Sequence, residues 1–189
     1  MNKGRFIRII LKLPLAVPYI ACYFLTSQHD VVKKDLLRWT ELRLRGKRAN
    51  WWAFAQLVIL NTNFRKQFCY RIGGIRHLLS LFLPAKLSDI LEANHKIEGG
   101  LVIVHTDGVG INSAVSIGRN CTILQMVTIG WNKDGAPQIG DNVMIGAGAI
   151  LVGNIKIGNN VKIGAGAIVV EDVPDGCTVV GPKAKMIQR

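Results

Sequence analysis

Four histidines and four cysteines are the groups in this chain best suited to nucleophilic, proton-transfer or metal chemistry. Cys22, Cys69, Cys121 and Cys177 are scattered without a CxxC pair or metal-ligand spacing, which reads as reduced thiols in a cytosolic compartment. His29, His77 and His95 have no spaced partner and read as surface or packing residues. His105 differs, because it stands in "GGLVIVHTDGVGINSAVSIG" (99–118) among glycines, aliphatics and small polar groups. Counting back six from Ile111 lands on His105, a register where isoleucine would satisfy packing. Such a departure marks either a packed structural histidine or a group that takes and returns a proton near neutral pH. Asp107, two residues on, either orients the ring or caps a turn.

The scaffold that must hold this imidazole is legible as a repeat. Ile139, Ile145, Leu151, Ile157, Ile163 and Val169 recur every six residues, with Gly at 140, 146, 158 and 164. Val143, Ala149, Ile155, Val161 and Ala167 form a second register, and Ile111, Ile117, Ile123 and Ile129 keep the same step earlier. A period of six fits neither a helix nor a two-sided strand. It fits a parallel β-helix with three short faces per coil, an aliphatic pointing inward from each face and small residues at the corners. Coils of this kind stack at about 4.8 Å, and residues 97–174 hold roughly four. Between Ile129 and Ile139 the step slips to ten, so "GWNKDGAPQ" must leave the coil as a loop, where function commonly sits.

The chain has 189 residues, a formal net charge of +12 and an apolar content of 49%. Residues 1–96 carry 17 Lys+Arg against 5 Asp+Glu, whereas residues 97–189 carry 7 of each. A basic, apolar half suits an anionic membrane surface better than nucleic acid, for which no binding motif is present. In "RFIRIILKLPLAVPYIACYFLT" (5–26), Lys12, Pro14 and Pro18 interrupt the apolar run. That favours an uncleaved interfacial segment over a spanning helix or a signal peptide. "DVVKKDLLRWTELRLRGKR" predicts a basic helix capped by Asp30 and ended by Gly46, with Val32, Leu36, Trp39 and Leu42 at helical spacing. Trp51 and Trp52 either sit at headgroup depth or pack between helices. "FRKQFCYRIGGIRHLLSLFLP" predicts one more helical stretch, stopped by Pro84.

These hexads, with "ILQMVTIG", "VMIGAGAILVGNIKIGNNVKIGAGAIVVEDVP" and "VVGPKAK", resemble the hexapeptide-repeat acyltransferases, most closely the serine acetyltransferase branch. Polysaccharide O-acetyltransferases that sort with that branch look equally similar. The resemblance covers about residues 90–187. It implies a left-handed parallel β-helix, usually a homotrimer, using acetyl-CoA as co-substrate at clefts between subunits, with no metal required. In that family a histidine just ahead of a Gly-Val/Ile run is the general base, which falls on His105. Donor contacts carry over to Gly146, Ala147, Gly164 and Ala165 through their main chain, with Lys162, Lys183 and Lys185 toward the phosphates. Asp107, Gln125 and Asn132 are the acceptor-side candidates.

Three positions depart from serine acetyltransferases. The aspartate expected fifteen residues before the base is Ile90 here, flanked by Asp89 and Glu92. Ala136 precedes Pro137 where those enzymes carry a second histidine, and Val104 stands where an acidic group helps bind serine's amine. These losses tilt the reading toward a sugar hydroxyl.

The sequence therefore predicts a mainly β fold in two parts: a basic, apolar helical region over 1–96, and a left-handed β-helix with a C-terminal tail over 97–189. The leading function is acetyl-CoA-dependent O-acetylation of a surface polysaccharide or its precursor. It is placed in the cytoplasm, peripheral on the inner face of the membrane. Serine O-acetylation for cysteine synthesis comes second. A zinc site of the carbonic-anhydrase-like kind needs three converging histidines, and residues 97–189 hold only His105. A non-catalytic trimeric scaffold is the remaining reading.

Overall fold

A computed structural model describes residues 3–44, 46, 48–72, 78–79, 81–82, 96–181 and 186–187. Four helices come first: α1 (Lys3–Leu25), α2 (His29–Arg43), α3 (Trp51–Leu60) and α4 (Thr62–Ile72). Twelve short strands follow. They are β1 (Val102–Ile103), β2 (Gly110–Ile111), β3 (Ser116–Ile117), β4 (Thr122–Ile123), β5 (Thr128–Gly130) and β6 (Gln138–Ile139), then β7 (Met144–Ile145), β8 (Ile150–Val152), β9 (Lys156–Ile157), β10 (Lys162–Ile163), β11 (Ile168–Val169) and β12 (Thr178–Val179). All pair in parallel as three faces of a column, in the orders β1-β4-β7-β10-β12, β2-β5-β8-β11 and β3-β6-β9.

The hexad registers point inward as the period requires. Ile111, Ile117, Ile123, Ile129, Ile145, Leu151, Ile157 and Ile163 are all buried, and Val143, Ala149, Ile155, Val161 and Ala167 fill the second register. Each large aliphatic so placed contributes about 1.5–3 kcal/mol by leaving water. Cys121 takes a place in that second register, its thiol directed at the Gly140 carbonyl at 3.2 Å, and burial pushes its pKa up to about 11. One corner of the column runs through Asn120, Asn142 and Asn160, all at positive φ. Asparagine tolerates that conformation better than other side chains.

A β-helix has open ends, and the first coil here is closed by the helices. Asp35 on α2 is buried and accepts from the backbone N–H of Gly100 (2.8 Å) and Leu101 (2.9 Å). It also accepts from Gln67 Nε2 (2.9 Å) and Arg71 Nε (2.8 Å) on α4. Arg71 donates to the carbonyls of Ile97 (2.6 Å) and Glu98 (2.7 Å), and Gln67 to that of Leu101 (2.7 Å). Gln67 Oε1 accepts from the Ile103 N–H at 3.1 Å and from Trp39 Nε1 at 3.1 Å. These side chains do for the edge strand what a further coil would do: they satisfy backbone groups that are costly to bury alone.

The helices differ in places from expectation. Asp30 lies in the first turn of α2, where its charge suits the helix dipole, but the capping position is Gln28. Val32, Leu36 and Trp39 are buried while Leu42 is exposed. Asn50 caps α3, its side chain accepting from the Ala53 N–H at 2.9 Å. His29 packs against the Tyr23 ring. The last predicted helical stretch is α4 to Ile72, with Leu78 and Leu79 helical; 73–77 and 83–95 lie outside the described residues.

α1 is one continuous helix with Pro14 and Pro18 inside it. An interior proline costs a helix about 3 kcal/mol. Ile9, Ala16, Tyr19 and Tyr23 form one buried face, and α1 packs along α3. Packing on both sides of the prolines, at about 1.5–3 kcal/mol per large side chain, keeps the helix whole.

Candidate active site

The structure moves His105 off the inward register. β1 pairs Ile103 with Ile123, so Ile103 faces the core and is fully buried. Eight residues separate Ile103 from Ile111, against six between Ile123 and Ile129 and between Ile145 and Leu151. The two extra residues let the chain leave the wall, and His105 stands exposed at φ +58°. A non-glycine residue held there is a local strain of the kind found at functional sites. An exposed imidazole on a rigid corner is also what proton transfer to a bound molecule requires.

α4 clamps this turn from outside. Asn63 Oδ1 accepts from both the N–H and the hydroxyl of Thr106, each at 3.3 Å. One turn along, Lys66 Nζ meets Asp107 Oδ1 at 2.8 Å, the lysine nearly buried and the carboxylate 82% exposed. Asp107 is thus engaged by Lys66, whose hydrogen bond and charge hold it below the usual carboxylate range, with His105 acting in the same direction. A carboxylate depressed in the folded state contributes stability that is complete above its unfolded pKa of about 3.9 and is lost as pH falls through the folded value. Lys66→Met therefore moves the Asp107 titration to higher pH, read from its carboxyl carbon by NMR. An unmoved titration would show that the pair does not form in solution.

Above His105 the same corner continues up the column. The N–H of Met126 donates to the Asp107 carbonyl (3.1 Å), that of Gly148 to Gln125 (3.0 Å), and that of Gly166 to Ala147 (2.9 Å). Asp107, Gln125, Ala147 and Ala165 therefore stand one above another, with Gly146 and Gly164 just before the last two. The predicted donor ridge and the predicted base share one edge. Gln125 Oε1 is buried there and meets no donor among the described residues. Met126 is exposed at φ +59°, where the coils above have glycine. Neither it nor Asn63 and Lys66 carries a signal in the repeat.

The small residues on this edge have different tasks. A Cβ on Gly146 would lie 2.6 Å from the Ala165 backbone nitrogen and 2.8 Å from the Gly164 carbonyl carbon, so close stacking of coils already demands glycine. Gly146→Ala is expected to lower stability by about 1–3 kcal/mol, measured by denaturant unfolding. Ala147 and Ala165, half-buried and exposed, are the ones left facing outward, with exposed Lys162 on the adjoining face. Lys183 and Lys185 lie outside the described residues, as do Asp89, Ile90 and Glu92.

Asn132 belongs elsewhere. The loop between β5 and β6 closes with Asn132 and Gly135 exchanging backbone hydrogen bonds at 2.9 and 3.1 Å, and the Asn132 side chain accepts from the Asp134 N–H at 2.9 Å. That loop leaves a different corner from the one bearing His105, across the β2-β5-β8-β11 face. Within one chain, Asn132 and His105 are on separate edges.

A three-faced parallel column built on hexads, with its lone histidine on an outer corner, defines a hexapeptide-repeat transferase. The family model "Bacterial transferase hexapeptide (six repeats)" matches residues 136–170. Serine acetyltransferase from Helicobacter pylori strain 26695 is 35% identical over 147 residues, covering 71% of this chain and 86% of that protein. The chain belongs to the serine acetyltransferase family of hexapeptide-repeat acyltransferases. Serine acetyltransferase 5 of Arabidopsis thaliana is 42% identical over 120 residues, 59% of this chain but 38% of that one. The chain thus spans about two fifths of the length of such plant relatives. Among solved structures, Neisseria gonorrhoeae serine acetyltransferase in complex with serine superposes with a TM-score of 0.67 at 32% identity, covering 89% of this chain and 73% of that one. A serine acetyltransferase complex with CoA gives 0.67 at 26% identity, covering 88% and 73%.

Proposed function

We propose that this chain transfers an acetyl group from acetyl-CoA to a hydroxyl acceptor, with His105 as general base and L-serine as the acceptor its relatives' names favour. The observation that carries this is the exposed imidazole at the foot of a ridge of small residues. The base takes the hydroxyl proton as the oxygen attacks the thioester carbonyl. The tetrahedral adduct then collapses, the C–S bond breaks, and the imidazolium returns the proton to the departing thiolate. The small, outward-placed Ala147 and Ala165 leave room for the donor's extended arm, and exposed Lys162 suits its charge. A homotrimer is part of the proposal: within one chain the Asn132 loop and His105 stand on separate edges, and a neighbouring copy would be needed to bring them together.

A sugar hydroxyl is the second reading, supported by one feature. Val104, beside the base, packs against the helical core and offers no charge to an amine. Purified full chain is given acetyl-CoA with L-serine or with a panel of neutral sugars, and free thiol is followed. Turnover with serine supports the first reading, and turnover with sugars alone replaces it with the second. No turnover from a stable trimer leaves the scaffold reading in place of both.

A further inference from the structure

The outer face of α1 has no partner among the described residues. Phe6, Ile7, Ile10, Leu11, Val17, Phe24 and Leu25 are exposed, between 47% and 84%. At 100° per residue they fall, with Pro14 and Ala21, on the side opposite the buried Ile9, Ala16, Tyr19 and Tyr23. From Phe6 to Leu25 this outer side carries no charged residue, over a helix about 35 Å long. An apolar strip of that length is well beyond the scattered exposed side chains of a soluble surface.

Its surroundings are basic. Arg8 and Lys12 are exposed one turn apart on α1, Lys12 on the side of Tyr19 and Tyr23, and Lys33, Lys34 and Arg43 are exposed on α2. The whole +12 of the chain arises within residues 1–96. Tyr23 stacks on Phe54 at 4.6 Å, which sets the first turn of α3 beside the C-terminal end of α1. Trp51 in that turn is half exposed, as interfacial tryptophans are.

We infer that α1 lies in the surface of an anionic lipid bilayer, its outer strip among the acyl chains and the positive charge of residues 1–96 drawing it to the headgroups. This surface is separate from the acetyl-transfer site and does not depend on it. Charge favours anionic lipid over a second copy, since a second basic copy offers the strip's surroundings no opposite charge. Packing selects lying over spanning. Although Phe6–Leu25 is long and apolar enough to cross, a crossing would strip Ile9, Tyr19 and Tyr23 from the helical core.

The test is co-sedimentation of the full chain with vesicles of phosphatidylcholine alone or with 30% phosphatidylglycerol, in low and high salt. Binding to the anionic vesicles is expected to exceed binding to neutral ones at least tenfold and to weaken with salt. A Leu11→Glu/Val17→Glu variant, altered only at exposed positions, is expected to lose binding at least tenfold with an unchanged melting temperature. Equal binding by the variant overturns the proposal, as does absence of binding to either vesicle. A chain that ignores vesicles but loses an oligomeric state with the same two substitutions would assign the strip to a second copy instead.

Discussion

Exchanging His105 for asparagine lowers the rate of acetyl transfer by about 10²- to 10⁴-fold, the usual worth of a positioned general base. Asparagine is the informative replacement because the backbone there is left-handed, at φ +58°. Alanine would keep the Cβ penalty that histidine already bears and lose the polar side chain, whereas asparagine tolerates that conformation. The melting temperature and the KM for acetyl-CoA are expected to stay near wild type, because the imidazole is exposed and the ridge above it is untouched. A His105→Asn protein that keeps its kcat would remove the imidazole from the reaction and the proposed function with it.

Asp35→Ala carries the largest expected loss of stability. It leaves the Arg71 guanidinium buried without its carboxylate, and frees the N–H groups of Gly100 and Leu101 at the closed end of the column. Removing one partner of a buried ion pair costs about 3–5 kcal/mol. In a chain of this size that lowers the melting temperature by roughly 6–20 °C. Asp35→Asn recovers little, because an amide can accept from the two backbone groups only by turning its own donors toward Gln67 and Arg71. Thermal unfolding of the three proteins checks this. A wild-type melting point for Asp35→Ala would mean that the helices do not close the first coil.

The two substitutions separate what the chain reveals by itself from what the fold adds. Period six dictates the column, because every coil poses the same packing demand and answers it with the same inward aliphatics. The slip between Ile129 and Ile139 likewise announces its loop, and His105 stands out as the residue that fits neither. Its placement did not follow, because counting hexads backward assumes an uninterrupted wall, and the two residues added between Ile103 and Ile111 turn the ring outward.

The polar stripe Asn63, Lys66, Gln67 and Arg71 on α4 has the pattern of a solvated helix face. Lys66, Gln67 and Arg71 are buried and Asn63 half-buried, because the edge of a β-helix presents unpaired backbone groups that only polar side chains can meet. α1 shows the opposite case: two interior prolines weaken a helix locally, and packing on α3 keeps it whole. Local repetition is written in the residues themselves. Which surface an end, an edge or a corner faces depends on the parts of the chain that meet there, and only their tertiary arrangement decides it.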